Sequence, residues 1–472
     1  MKALTIILSL LIINFADKKF QHKDNVTEKV NSLMEDCKEL DLFSGTILVA
    51  KDGKIEFENS YGFADKDKNI LNTNNTKYNI GSIGKEFTAI MILQLMQENK
   101  LKLSDELGKY FNFFPEPAAS EVTIKNLLDH TSGYGDYIMD PEFQMNKENY
   151  KELSELVKFI SKEEPEFKSG AEKRYSNSGY VILGGIIEKI TGKSYSDNMK
   201  ERIFDPLGMN SSGYIDWESK DLLKATGYLK NIKNAARDNN DLRLQGSPAG
   251  GMYSTTEDLL KLDQSLMNDN KLLDDKFKMI LFSDFIETPS ASLNDRKKNP
   301  DAENVIAGGA PGINALYMSF PGKGYTVIIL SNYDQAAENI EPQITDIIKR
   351  GDYKKPNLPL GQFLYKTYEK EGNEYFVKNI KMIIDENGYR IPGPGMLNNT
   401  GYQFLQNEIP DAAISIFRLN AEMFPEVANC FDSLGEAYFM TGNKEDAKIN
   451  YAKVLQLDPG NENAKKMLEK LN

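Results

Sequence analysis

The tetrapeptide Ser82-Ile83-Gly84-Lys85 constrains this chain more than any other feature of its sequence. It is the one Ser-x-x-Lys among 472 residues, and it precedes an apolar run, 87–96, that predicts a buried helix. Ser and Lys three residues apart at a helix start lie on one face, so the ammonium can lie beside the hydroxyl. Burial would lower the Lys85 pKa and let its amine take the serine proton. The alternative is a helix start with Ser82 as cap and a solvated Lys85.

A second segment carries a phenol and an amide on one short loop. Tyr175 and Asn177 precede the apolar run 181–187, which predicts another helix. A phenol beside a cation can act as a base toward a serine hydroxyl, and the amide can orient a substrate carbonyl or the lysine. Tyr110-Phe111-Asn112 has the same spacing. We interpret it as structural because it lies in a charged, aromatic stretch without a loop–helix signal.

The third segment is rich in glycine. Gly308-Gly309-Ala310-Pro311-Gly312 comes before an apolar strand at 314–320, a turn at 321–324 and a second strand at 325–330. This predicts an antiparallel hairpin whose first strand begins with the glycines. Backbone N–H groups at Gly308 and Gly309 can approach a ligand closely, so Gly309 and the Ser82 N–H would form an oxyanion hole.

These three segments, in this order, resemble the penicillin-recognising serine hydrolases, and within them the class C β-lactamases, D,D-carboxypeptidases and related esterases. Further segments of this chain are similar to the family's Leu-Leu-x-His-Thr-Ser-Gly, Pro-Leu-Gly-Met and Gly-Gly-x-x-Ser-Thr motifs, at 127–133, 206–209 and 250–255. The resemblance runs from about Asn25 to about Ile348. It implies catalytic Ser82, Lys85 and Tyr175, and substrate or oxyanion roles for Asn177, Gly308 and Gly309.

One position departs from the family. The third motif of the family begins with Lys or His two residues before the glycine that aligns with Gly308, and this chain has Ile306 there. The two histidines of this chain, His22 and His130, lie elsewhere in the sequence and cannot align with this position. Because the family uses that residue to bind a substrate carboxylate, the sequence favours ester or small-peptide substrates over β-lactams.

The order of strands and helices predicts an α+β fold. A strand at 43–50 turns back through Asp52-Gly53, and further strands return near 305–331, with helices between them. We expect one antiparallel sheet with flanking helices and a helical subdomain, the β-lactamase/transpeptidase arrangement, with the active site in the groove between them. The predicted domains are a signal peptide at 1–16, the hydrolase at 25–350, a linker with a helix at 351–396 and repeats at 397–472.

The C-terminal residues repeat at a spacing of 34. Gly401 and Gly435, Phe417 and Tyr451, and three further pairs recur at this interval. The period and its residues resemble tetratricopeptide (TPR) helical hairpins, which predicts an all-α region after the hydrolase. Two repeats cannot bury a full solenoid core, so they need neighbouring helices. A role as a stability cap and a role in binding a protein partner both stay open.

Composition limits the partners. The net charge of −13 argues against nucleic acid. The N-terminal apolar run is too short to span a bilayer and is typical of a signal peptide, so we expect a periplasmic or secreted protein without an integral membrane span. No cluster has metal-ligand spacing and no phosphate loop is present, so we expect neither metal nor cofactor.

These features together predict a secreted serine hydrolase of the β-lactamase-related family. It would act on an ester or amide, such as a peptide or a cell-wall-like substrate, through an acyl-Ser82 intermediate. The alternative is a catalytically weakened binding or sensor protein on the same fold, with the repeats mediating protein interaction.

Overall fold

The computed structural model describes residues 26–214, 223–289 and 291–471. The predicted signal peptide at 1–16 lies outside these residues. The chain divides into two compact units, the first taking in the chain to Leu229 together with Asp238–Pro356, the second Lys230–Arg237 together with the chain from Asn357. Among the described helices, none is both long enough and apolar enough to cross a membrane.

The strands in the described part of the chain lie between Gly45 and Ser331. They are β1 Gly45–Lys51, β2 Lys54–Tyr61, β3 Phe63–Asp65, β4 Ile70–Leu71, β5 Tyr78–Asn79, β6 Gly213–Tyr214, β7 Tyr228–Lys230, β8 Ala236–Asp238, β9 Met252–Ser254, β10 Asn304–Ala310, β11 Ile313–Phe320 and β12 Tyr325–Ser331.

Helices of the first unit surround these strands. They are α1 at 26–39, α2 Gly84–Gln97, α3 Ala118–Glu121, α4 Ile124–Leu128, α5 Pro141–Asn146, α6 Leu153–Ile160, α7 Asn177–Thr191, α8 Tyr195–Met199, α9 Asp205–Leu207, α10 Thr256–Asn268, α11 Asp275–Leu281, α12 Leu293–Lys298 and α13 Ala336–Arg350.

A five-stranded antiparallel sheet joins the two ends of the first unit, in the order β10-β11-β12-β1-β2. The β1–β2 turn has Asp52 at φ 49° and Gly53 at φ 76°. Positive φ at both central residues is the geometry of a tight hairpin turn, as the Asp-Gly pair predicts. The α+β fold and the pairing of distant segments are confirmed.

Helices cover both faces of this sheet. Side chains alternate along a strand, so Ile47 and Val49 of β1 lie in a core with α1 and α13, while Leu48 and Ala50 lie in a core with α2 and α10. A strand buried on both faces has no face that can turn to solvent, so its pairing register is strongly specified. The second of these cores continues into the helices between β5 and β6, which form the helical subdomain.

The second unit is all-helical. Its helices are α14 Leu360–Glu371, α15 Asn373–Glu386, α16 Pro394–Gln406, α17 Pro410–Met423, α18 Ala428–Met440, α19 Lys444–Leu457 and α20 Glu462–Leu471. The linker at 351–396, predicted to contain one helix, contains two, α14 and α15, which separate at Gly372, where φ is 81°. One apolar core runs through α14 to α20, so the repeats bury their faces against neighbouring helices.

The 34-residue spacing is visible in the helix boundaries. The pair α16–α17 recurs as α18–α19, shifted by 34 residues at each end. In both pairs a glycine lies against an aromatic ring, because a Cβ at Gly401 would meet the Phe417 ring at 2.5 Å and one at Gly435 the Tyr451 ring at 3.3 Å. The helical hairpins repeat as expected, and their assignment to the tetratricopeptide class stays a prediction.

Residues 230–237, which run from the end of β7 into β8, belong to the second unit. Ile232 is 2% exposed and packs in the same core as Leu360 and Leu364. This placement depends on a tertiary contact, so no pattern within these eight residues predicts it.

Replacing Ile232 with Ala should therefore destabilise the helical unit. Truncating a buried Ile to Ala costs about 2–5 kcal/mol, because transfer free energy is lost and a cavity remains. Hydrogen exchange of α14–α17 amides, followed by mass spectrometry, should show faster exchange in this variant. The matched control is Ile449→Ala, at a residue 66% exposed, which should exchange like the wild type. Equal behaviour of the two variants would show that Ile232 does not support this core.

Candidate active site

Ser82 lies in a short helical turn, Gly81–Ile83, that leads directly into α2. Its Oγ is 2.5 Å from the Tyr175 hydroxyl oxygen and 3.2 Å from Lys85 Nζ. The start of α2 adds partial positive potential at this point. Tyr175, which is 93 positions away in the sequence, thus contacts the predicted nucleophile Ser82. Lys85, one turn along the helix, contacts it as well.

Lys85 is buried in the first turn of α2, with 6% of its surface exposed. Its ammonium donates to Ser82 Oγ, to Asn177 Oδ1 at 2.7 Å and to the carbonyl oxygen of Ala249 at 2.5 Å. An ammonium has three N–H donors, and all three have acceptors here. Burial lowers the pKa of Lys85 to about 7, against the opposing charge of Asp136. Near neutral pH a substantial fraction of the amine is therefore free to accept a proton.

The Tyr175 ring is held in place by its neighbours. The Tyr175 ring packs on the His130 ring with the two centroids 4.9 Å apart. Lys85 Nζ lies 4.7 Å from the centroid of the Tyr175 ring. Desolvation raises the pKa of Tyr175, the hydrogen bond with Ser82 lowers it, and the charge of Asp136 raises it, with a net rise. The phenol is therefore protonated at neutral pH, and Lys85 is the stronger proton acceptor of the two.

His130 has a supporting position. Its Nδ1 accepts the backbone N–H of Ser176 at 3.1 Å, and its ring packs between Tyr175 and Tyr180. Burial, together with the charge of Lys85, lowers the pKa of His130 to about 4. The neutral ring fixes the loop that carries Tyr175.

Asn177 is the first residue of α7. The hydroxyl of Ser176 caps this helix by accepting the Gly179 N–H at 2.8 Å. The cap fixes the backbone where the Asn177 side chain begins. From there Oδ1 accepts from Lys85, and Nδ2 donates to Asp136 Oδ2 at 2.8 Å.

Gly308 and Gly309 lie in β10, the edge strand next to the Ser82 turn. A Cβ at Gly308 would be 1.9 Å from the Ile80 carbonyl oxygen, and one at Gly81 would be 2.5 Å from the Gly309 nitrogen. Only glycine permits this approach of the two backbones. The hairpin prediction needs one correction: the glycines end a strand of their own, which pairs with β11 through a turn at Pro311-Gly312, because Gly312 adopts φ 78°.

Ile306 lies two residues before Gly308 on the same strand. Residues i and i+2 share a face, so Ile306 is on the side of β10 that meets the Ser82 turn. Its half-buried side chain packs against the core that contains α2. An apolar residue therefore occupies the position at which the family resemblance implies Lys or His.

A groove with a cavity volume of about 130 Å³ opens at Ser82. Asn177, Ala249 and Gly309 are among its walls, and Arg243 is the charged residue among the described groove-lining residues. Within the described part of the chain, no group of His, Cys, Asp and Glu side chains is arranged to hold a metal ion.

Of the six predicted site residues, Ser82, Asn177 and Gly309 line this groove. Lys85 and Tyr175 contact Ser82, and Gly308 packs against the Ile80 backbone before the Ser82 turn, whereas Tyr110 is bonded elsewhere. The Tyr110 hydroxyl donates to Asp105 Oδ2 at 2.8 Å.

Sequence reasoning missed Asp136 and Arg243. Asp136 follows the 127–133 segment by three residues, and that closeness to a family motif was the available signal. Arg243 lies in a loop without any pattern that points to the site.

Comparisons of sequence and of structure find similar proteins. The teichoic acid D-alanine hydrolase of Staphylococcus aureus (strain NCTC 8325 / PS 47) is 29% identical over 314 residues, covering 66% of this chain and 73% of that protein. The crystal structure of a penicillin binding protein from Bacillus halodurans superposes with a TM-score of 0.58 at 26% identity, covering 67% of this chain and 99% of that one. FmtA from Staphylococcus aureus superposes with a TM-score of 0.58 at 25% identity, covering 70% and 91%.

The family model described as Beta-lactamase matches residues 28–347, which is more than half of the chain. The resemblance drawn from the three segments is thereby confirmed, and the chain belongs to the Beta-lactamase family.

Proposed function

We propose that this protein is a serine hydrolase that forms an acyl-Ser82 intermediate, with an ester of a D-amino acid on a cell-wall-like polymer as its substrate. The observation that carries the proposal is the contact of Ser82 Oγ with both Tyr175 and a buried Lys85 whose pKa lies near neutrality. The relative named teichoic acid D-alanine hydrolase supports the substrate class.

The reaction would begin with proton transfer. Neutral Lys85 takes the Ser82 proton while Ser82 Oγ bonds to the substrate carbonyl carbon. The backbone N–H groups of Ser82 and Gly309 would hold the oxyanion. Collapse of the tetrahedral intermediate breaks the bond to the leaving alcohol, which takes a proton from Lys85 or from the Tyr175 hydroxyl. Water then hydrolyses the acyl ester by the reverse sequence and regenerates Ser82.

We also propose export by the segment 1–16 and a protein-binding role for the helical hairpins of α16–α19. The first would place the enzyme where cell-wall polymers are found. The second is favoured by the period of the repeats alone.

Ser82→Ala should abolish both turnover and covalent labelling by a fluorophosphonate probe, because the variant has no hydroxyl to acylate. Intact-mass spectrometry after probe treatment measures the covalent labelling, and hydrolysis of a D-alanyl ester measures the turnover. Ser60→Ala, which removes a hydroxyl of β2 far along the sheet from β10, is the control and should label normally. Undiminished hydrolysis by the Ser82 variant would refute the mechanism. A folded wild type that neither reacts with the probe nor hydrolyses the ester would favour the binding-protein alternative.

Tyr175→Phe should lower kcat by about 10²–10⁴-fold, the usual contribution of a group that transfers a proton in the transition state. Tyr110→Phe is the matched control, since it removes the same hydroxyl from the other Tyr-x-Asn segment and should change kcat little. Steady-state kinetics of both variants on the same ester show which substitution causes the larger loss of kcat. A larger loss in the Tyr110 variant would show that the wrong tyrosine was chosen.

Ile306→His should raise kcat/KM for carboxylate-bearing substrates relative to matched neutral esters. A charged hydrogen bond from this face of β10 would contribute about 1–3 kcal/mol. Val305→His, on the opposite face of the same strand and 42% exposed, is the control and should leave the ratio unchanged. If the wild type already prefers the anionic substrate, another group supplies the charge, and Arg243 of the groove wall is the residue to substitute next.

A further inference from the structure

The carboxylate of Asp136 is held on both of its oxygens. Oδ1 accepts the backbone N–H of Ile138 at 3.0 Å, within the helical turn Tyr137–Met139. Oδ2 accepts Asn177 Nδ2 at 2.8 Å. The first contact fixes the carboxylate relative to its own loop, and the second ties that loop to the first residue of α7.

These contacts decide which way the Asn177 amide points. An amide oxygen only accepts, its nitrogen only donates, an ionised carboxylate only accepts and an ammonium only donates. In the observed orientation Oδ1 faces Lys85 Nζ and Nδ2 faces Asp136. Rotating the amide by half a turn would set donor against donor at Lys85 and acceptor against acceptor at Asp136. Asp136 therefore keeps an acceptor directed at the lysine.

The charge of Asp136 acts on the same lysine. Burial lowers the Lys85 pKa, and Asp136 opposes that shift. The titratable neighbours of Lys85 also include Tyr175 and His130, and on the far side Asp136 faces Glu163. Tyr175 and His130 are both neutral near pH 7, so among these partners Asp136 supplies the negative charge that favours the ammonium.

We propose that Asp136 is a positioning residue of the reaction, which acts through the Asn177 amide to hold Lys85 Nζ against Ser82 Oγ. Its charge also sets the balance between ammonium and amine at Lys85. The inference rests on the proposed function, because an oriented Lys85 matters to catalysis only if Ser82 is the nucleophile.

Asp136→Asn removes the charge and keeps one of the two acceptors. The new amide can still accept from Asn177 through its oxygen, at the loss of the contact with the Ile138 N–H, and the negative charge is gone. Neutral Lys85 is the active form, so kcat/KM rises with pH through the Lys85 pKa, and loss of Asp136 charge should move this acid limb to lower pH. Asp136→Ala removes the acceptor as well, and its plateau kcat should also fall, by up to about 100-fold, because Lys85 is no longer held in place.

Asp140→Asn is the matched control. Asp140 lies on the same loop and accepts the backbone N–H groups of Glu142 and Phe143 at the start of α5, without contact to Asn177. Its substitution removes the same charge nearby and should leave the acid limb in place. Thermal unfolding of each variant checks that the fold is retained.

An exchange of the two side chains gives the sharpest test. In the double variant Asp136→Asn with Asn177→Asp, a carboxylate faces Lys85 directly and an amide can donate to it from behind. The acid limb should then move above its wild-type position, opposite to the shift in the single variant. A residue needed only for folding would not produce shifts of opposite sign.

The Lys85 titration can be followed without turnover. Side-chain NMR of isotopically labelled lysine, assigned with Lys85→Arg, should show the midpoint lower in Asp136→Asn and higher in the exchanged variant. If both variants titrate and react like the wild type and Asp140→Asn, the inference is overturned. If the NMR midpoints shift as expected while the wild type neither labels nor hydrolyses, the electrostatic coupling stands and the proposed function fails.

Discussion

The ammonium of Lys85 lies almost out of water, and the site is arranged around its three hydrogen bonds. The acceptors come from three parts of the chain: Ser82 before α2, Asn177 at the start of α7, and the Ala249 carbonyl before β9. A buried charge without such partners costs several kcal/mol, so these segments have to meet for the lysine to remain charged at all. The same burial brings its pKa close to neutrality, which suits a group that takes and returns a proton.

Strand β10 of the sheet forms another side of this site. Strand β10 can lie against the Ser82 turn because Gly308 and Gly81 have no side chains to separate the backbones. The strand is held by β11, whose register is in turn fixed by burial on both faces. Packing far from the groove therefore determines where the Gly309 N–H lies relative to Ser82. Ile306 lies on the same face of β10, and its half-buried side chain packs against the core that contains α2.

Features set by local sequence could be predicted well. The Asp52-Gly53 turn and the helix after Ser82 each depend on residues within one or two turns of each other, where spacing and turn chemistry act directly. The expectation that Tyr175, rather than Tyr110, lies beside Ser82 rests on its loop–helix context and on the family resemblance, because the contact joins residues 93 positions apart. Asp136 could not be found this way, because its role depends on a contact with Asn177, 41 residues away. Ile232 likewise joins the helical core through a tertiary contact that no periodicity in an eight-residue loop can show. Gly372 divides α14 from α15 through a positive φ that a helical hydrophobic pattern conceals.

The central claim is that a buried Lys85 with a near-neutral pKa activates Ser82. The most direct test is the pH dependence of the second-order rate constant for modification of Ser82 by a fluorophosphonate, measured between pH 5 and 9 by intact-mass spectrometry. We expect the rate to rise with pH through a single ionisation near 7 and to be level above it, and Lys85→Arg to remove this ionisation. A rate that increases in proportion to hydroxide over the whole range, or an unchanged profile in Lys85→Arg, would contradict it.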